Sequence, residues 1–154
     1  MSNSLTIIGA GAWGSALAIA LNDKFDNIYL ISKDQENAES IGNQHPALSK
    51  PFSQNIKISP SYEVINKSTA VLIATPSSSF SSVLKRIKDD INEIPLAWVT
   101  KGFDPDSVSL LHETFNQQIP NHLSDLGSNF NAPKKDNLSL NISIGTISLP
   151  IVLS

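Results

Sequence analysis

Gly9, Gly11 and Gly14 stand in the string Gly9-Ala10-Gly11-Ala12-Trp13-Gly14, a G-x-G-x-x-G spacing. Glycines so placed suit one kind of chemistry, the close approach of a backbone to a diphosphate. Gly9 would make a tight turn, Gly11 would let the chain close on a pyrophosphate, and Gly14 would let a helix pack against a strand. The phosphates would lie on unpaired N–H groups at the helix start, where the macrodipole favours negative charge. The flanks give the string its meaning. Leu5 to Ile8 is an apolar run that feeds directly into it, and Trp13, Ala16, Leu17, Ala20 and Leu21 recur afterwards at helical steps. Strand, glycine turn and helix together predict a dinucleotide site.

Three further stretches could contribute to such a site. An acid about twenty residues past the glycines would bind a ribose 2′-hydroxyl and select NAD. Here that stretch reads Ile31-Ser32-Lys33, with Asp34 late. Ser32 and Lys33 instead suit a 2′-phosphate, so NADP is favoured over NAD, with Lys33 as a solvated loop lysine the plainer reading. Thr75-Pro76-Ser77 follows the most apolar run of the chain, Ala70 to Ala74. Ser77 would cap the next helix, which accounts for it without a ligand. Thr100-Lys101-Gly102-Phe103 follows another apolar run. Lys101 there could neutralise a phosphate or polarise a carbonyl, beside a turn made by Gly102. His45, His112 and His122 share no metal-ligand spacing, and the serine runs at 77–79 and 81–82 have no paired base. Neither a metal centre nor a hydrolase is expected.

These groups need a scaffold that brings strand ends together. Strands are predicted at Leu5–Ile8, Asn27–Ile31, Ile56–Ile58, Ala70–Ala74 and Leu96–Thr100. Helices are predicted from Trp13, from Asp34 as a cap through about Ile41, over Tyr62–Asn66, from Ser77 to Asp90 and from Ser107 to Gln118. Gly42 to Ser53, with two prolines, reads as a loop. Alternation of this kind implies right-handed crossovers, an α/β fold and a doubly wound, mainly parallel Rossmann-type sheet. A dinucleotide-binding domain is expected over 1–120, followed by a divergent tail over 121–154 whose only periodic part alternates from Leu138 to Ile144.

The bulk properties agree. The chain has 154 residues, 40% hydrophobic and 16% charged, with a formal charge of −3 and no cysteine. No basic stripe suggests nucleic acid, and no apolar stretch is long enough to span a bilayer. No basic segment precedes an apolar run at the N-terminus, so a cytoplasmic location is expected.

Residues 8–18 (Ile-Gly-Ala-Gly-Ala-Trp-Gly-Ser-Ala-Leu-Ala), 74–77 (Ala-Thr-Pro-Ser) and 100–103 (Thr-Lys-Gly-Phe) together resemble bacterial NAD(P)-dependent glycerol-3-phosphate dehydrogenase. Asn43 to Pro51 resembles that family's loop before the third strand, and Leu110 to Glu113 its helix after the Lys-Gly pair. The resemblance runs over about residues 3–120. It implies reversible hydride transfer between a nicotinamide and sn-glycerol 3-phosphate or dihydroxyacetone phosphate, in phospholipid precursor synthesis. Carried over by position, Ala12 and Trp13 fall at cofactor contacts in the glycine loop. Lys33 falls at a further cofactor contact, and Lys101 at a lysine that touches cofactor and substrate.

Two departures accompany the resemblance. The family's Ser-Gly-Pro motif is replaced by Leu126-Gly127-Ser128-Asn129-Phe130. The family's helical substrate domain, which supplies the general-base lysine, has no counterpart here, so no residue takes that role. Codons for Asp125 to Asn129, read one base later, can encode Ile-Ser-Gly-Pro-Thr. A frameshift near residue 120 is therefore expected to explain both departures. Two other readings stay open: a nucleotide-binding or interaction module that self-associates or recruits a partner, and a reductase of another small hydroxy acid, such as ketopantoate reductase.

Overall fold

The structure, a computed structural model, describes residues 2–91 and 94–120. The expected tail over 121–154, with its alternation at Leu138–Ile144 and the expected frameshift, lies outside them.

Five strands, β1 (Ser4–Ile8), β2 (Asn27–Ile31), β3 (Ile56–Ser59), β4 (Ala70–Ile73) and β5 (Leu96–Trp98), form one sheet in the order β3-β2-β1-β4-β5. Every pairing is parallel. β1 and β4 are buried along their whole lengths, as near-continuous apolar strands at the centre of a doubly covered sheet should be.

Helices α1 (Ala12–Leu21) and α2 (Gln35–Ile41) cover one face. There Leu17, Ala18, Leu21 and Ile41 pack with Leu5, Ile7, Ile28, Leu30 and Leu72. Helices α3 (Ser77–Ile87) and α4 (Leu111–Gln118) cover the other. Phe80, Leu84, Ile87 and Phe115 there join Ile8, Val71 and Ile73. Trp98 at the end of β5 locks the two helices to the sheet, its ring 5.5 Å from Phe80 and 5.3 Å from Phe115.

Several boundaries differ from expectation. The helix expected over Tyr62–Asn66 is a 3-10 turn, Glu63–Lys67. The strand expected to reach Thr100 pairs only through Trp98. The last helix begins at Leu111 rather than Ser107. The intervening residues form a closed loop instead, with Val108 at φ +52° and a bridge between Phe103 and Leu110. Glu113 starts the helix locally by accepting the Leu110 N–H at 2.9 Å.

Among the described residues, no helix is long and apolar enough to cross a membrane.

Candidate functional site

Helices on opposite faces leave β1 and β4, so the sheet has its topological switch point between their carboxyl ends. The turn after β1 occupies that point. Gly9 has φ +116°, and a Cβ on it would lie 2.8 Å from the Ala74 carbonyl oxygen and 3.1 Å from Thr75 Cγ2. Its N–H donates to the Ile31 carbonyl at 3.0 Å, which ties the turn to the end of β2 as well. A Cβ on Gly14 would collide with the Gly9 carbonyl oxygen. The protein's own packing therefore demands both glycines.

Gly11 is different. It caps α1 with φ −71° and ψ −179°, a conformation open to any residue. Among the described residues, a Cβ there would meet nothing within 4 Å beyond its chain neighbours and its own helix. No packing or strain among them explains this glycine. The space in front of it borders the start of α1, where the first helical bond runs from Ser15 N–H to the Gly11 carbonyl at 2.9 Å. The amides of Ala12, Trp13 and Gly14 precede that ladder, and no side chain among the described residues caps them. Ala12 is exposed, and Trp13 is 48% exposed.

The ends of β4 and β5 meet beside this turn. Thr100 Oγ1 donates to the Thr75 carbonyl at 2.8 Å. Thr75 Oγ1 is buried without a hydrogen-bond partner among the described residues. Ser77 does not cap α3: Pro76 holds the cap position and Ser77 is the first helical residue. Its hydroxyl instead faces Gly102, 3.4 Å from where a Cβ would stand, and Gly102 has φ +109°. The segment carrying Lys101 is thereby laid against the start of α3, with Lys101 itself exposed.

Asp104, three residues further on, is 3% exposed and organises the loop that follows. Its N–H donates to the Ser109 carbonyl at 2.9 Å, and its own carbonyl accepts the Val108 N–H at 2.8 Å. Oδ1 accepts the Asp106 N–H at 3.1 Å, and Oδ2 accepts from Thr114 Oγ1 at 3.3 Å. The Asp106 N–H leads, with smaller help from Ser107 and Thr114, in holding the carboxyl below the usual aspartate range against the opposing cost of burial. A depressed folded-state value stabilises the ionised form. That contribution is fully present above the unfolded value near 3.8 and is lost as pH falls through the lower folded value. Thermal melts of wild type and Asp104→Asn, taken from pH 7 downward, should therefore keep a constant gap to about pH 4 and begin to converge only below it. A gap that stays constant to pH 3 would contradict this account.

At the exit of β2, Lys33 is exposed, whereas Ser32 is buried and its hydroxyl donates to the Asp34 carbonyl at 2.9 Å. Asp34 is occupied as the α2 cap, with Oδ1 accepting the Asn37 N–H at 2.7 Å. The acid closest to the ribose position in sequence is thus used structurally. Lys33 is left as the exposed charged group of the Ser32–Lys33 pair. An open depression of about 690 Å³ between α2 and β3 includes no residue of the glycine turn.

The structure thus brings Gly9, Gly11, Ala12, Trp13 and Gly14 to one sheet edge with the strand exits that carry Lys33 and Lys101. Sequence reasoning placed Thr75 and Thr100 in contributing stretches without giving their side chains a role, and it missed Asp104. Their side chains act through pairings across 25 and 10 residues, or through an orphaned hydroxyl, and no local pattern announces these.

Residues 4–128 match the family described as NAD-dependent glycerol-3-phosphate dehydrogenase N-terminus. The chain belongs to this family. The glycerol-3-phosphate dehydrogenase [NAD(P)+] of Vesicomyosocius okutanii is 47% identical over 122 residues, covering 79% of this chain and 37% of that protein. The enzyme of the same name from Ruthia magnifica is 46% identical over the same shares. Among solved structures, the Coxiella burnetii glycerol-3-phosphate dehydrogenase superposes with a TM-score of 0.68 at 31% identity, covering 77% of this chain and 38% of that one. An imine reductase from Myxococcus stipitatus, with a TM-score of 0.55 at 19% identity, shares the fold alone. The chain spans 37–38% of the length of these dehydrogenases. Membership in the glycerol-3-phosphate dehydrogenase family sets aside the ketopantoate reductase reading.

Proposed function

We propose that the carboxyl edge of the sheet binds a nicotinamide dinucleotide, with its pyrophosphate on the amides of Ala12, Trp13 and Gly14. The observation that carries this reading is Gly11, a glycine that no neighbour among the described residues requires, placed before helical amides that none of their side chains caps. The orphaned Thr75 hydroxyl, in the turn packed against Gly9, adds a buried polar group still in need of a partner. Bound there, the cofactor supplies the hydride-transfer chemistry. Lys101 meets both the cofactor and the phosphate of sn-glycerol 3-phosphate or dihydroxyacetone phosphate. The complete oxidoreductase reaction, in a cytoplasmic setting, belongs to a protein with the further length found in the relatives, where the general-base lysine is expected. The described chain binds cofactor and contributes little turnover alone, since proximity between both halves of the site supplies much of the rate.

Calorimetric titration of this chain with NADPH and NADH tests the reading. Saturable binding of at least one is expected, and no heat with either in folded protein would overturn it. A parallel assay with dihydroxyacetone phosphate and NADPH should show little oxidation of the cofactor.

NADP is the favoured form, through Lys33. Lys33→Ala should weaken NADPH about tenfold, as expected for the loss of one charge-assisted phosphate contact, and change NADH less than about twofold. Equal losses for both cofactors would remove Lys33 from the discrimination.

A second role for the same edge is favoured by its exposed apolar side chains. Trp13 at 48%, Phe103 at 57%, Val108 at 79% and Leu110 at 41% exposure suit contact with further protein, either a second copy or a separately encoded partner. Sedimentation of the isolated chain over a concentration series distinguishes self-association from a monomer that needs another partner.

A further inference from the structure

We propose that Asp104 is a positioning residue for Lys101, holding the backbone that presents the lysine to the dinucleotide. The inference rests on the dinucleotide reading above and extends it to a residue outside the contact set.

Lys101 and Gly102 hang between two anchors. On one side, Thr100 Oγ1 is bonded to the Thr75 carbonyl at 2.8 Å, which fixes the end of β5 to the end of β4. On the other side, Asp104 is bonded through its N–H, its carbonyl and both carboxylate oxygens, to Ser109, Val108, Asp106 and Thr114. Between them Gly102 adopts φ +109° and lies along the Ser77 hydroxyl. Glycine enters that region readily, and the two anchors select this one path from those open to it. Thr114 belongs to α4, whose neighbour Phe115 is packed on Trp98, so the carboxylate couples the loop to a buried element. With the Asp104 carboxylate removed, the exposed lysine keeps the backbone bonds of Asp104 to Ser109 and Val108 but loses the ties to Asp106 and to α4. Its ammonium then samples many positions, and each contact it makes with the cofactor costs more ordering.

A double-mutant cycle on NADPH affinity, measured by calorimetry, separates positioning from general support of the fold. Lys101→Ala should weaken binding about tenfold and Asp104→Ala about fivefold, as for loss and for loosening of one charge-assisted contact. The double variant should be within about twofold of Lys101→Ala alone, because Asp104 acts through the lysine. Independent contributions would multiply to about fiftyfold, and that result would overturn the inference. Asp104→Asn should restore affinity to within about twofold of wild type, because its amide can accept from Asp106 and donate to the Thr114 hydroxyl. Should Asp104→Ala fail to fold, Thr114→Val removes the Oδ2 contact, together with the one at 3.4 Å to the Leu110 carbonyl, and carries the same cycle with an effect of about threefold. An Asn variant as weak as Asp104→Ala, or a Lys101→Ala variant that binds like wild type, would also overturn the inference while leaving the dinucleotide reading intact. Absence of NADPH binding by the wild-type chain would fail the dinucleotide reading itself.

Discussion

Gly14→Ala is expected to destabilise the fold strongly. The added methyl would occupy the space of the Gly9 carbonyl oxygen, and the next contact, the Ala74 side chain at 3.5 Å, closes the other direction. Relief would require α1 to move away from the sheet. That movement would part Leu17, Ala18 and Leu21 from the core residues of β1 and β2. Nor can the Gly9 carbonyl move freely, because Gly9 is pressed on Ala74 and bonded to Ile31. Overpacking in a well-packed site usually costs about 1–3 kcal/mol, and a collision between two backbones belongs at or beyond the upper end. For a domain of this size that corresponds to a fall in melting temperature of roughly 10 °C or more. Thermal unfolding followed by circular dichroism checks it. A variant that melts within a few degrees of wild type would show that α1 has more freedom than its packing implies.

Gly11→Val should do the opposite, sparing the fold and abolishing cofactor binding. Its backbone angles suit valine, and among the described residues nothing outside its chain neighbours and its own helix lies within 4 Å of the new Cβ. The stability cost is limited to a poorer helix cap, about 1 kcal/mol. The side chain would nevertheless stand before the Ala12–Gly14 amides, in the volume assigned to the pyrophosphate. A loss of NADPH affinity of about a hundredfold or more is expected, equivalent to roughly 2.7 kcal/mol or more. Retained affinity in this variant would remove the diphosphate from the glycine turn. The two substitutions sit three residues apart in one motif, yet one reports on packing and the other on the ligand.

How far the chain could be read from its residues follows from the range of the forces involved. The strand–turn–helix at Leu5–Leu21 was legible because apolar period and glycine spacing are local signals. So was the Asp34 cap of α2, a bond across three residues. The path from Phe103 to Leu110 was not. Its conformation is set by Asp104, whose partner Thr114 lies beyond the loop, and by the Phe103–Leu110 bridge. Propensity alone extended the helix back to Ser107, and tertiary bonding overrode it. Ser77 failed as a cap for a similar reason. Pro76 took the cap position, while the packing of β5 against β4 placed Gly102 opposite the serine hydroxyl.

By itself, the order of residues determined that this chain builds a parallel α/β sheet with a glycine turn at the first strand's exit. Hydrophobic period and glycine spacing act between near neighbours, and they specify each element before any elements meet. Only the tertiary structure decided which glycines the fold itself demands and which it leaves unconstrained. The crowding at Gly9 and Gly14 and the open space at Gly11 exist only once β1, β4 and α1 are packed together. It also decided that Asp34 serves α2 and that Asp104 anchors the loop behind Lys101, because burial and hydrogen-bond partners are properties of the assembled chain.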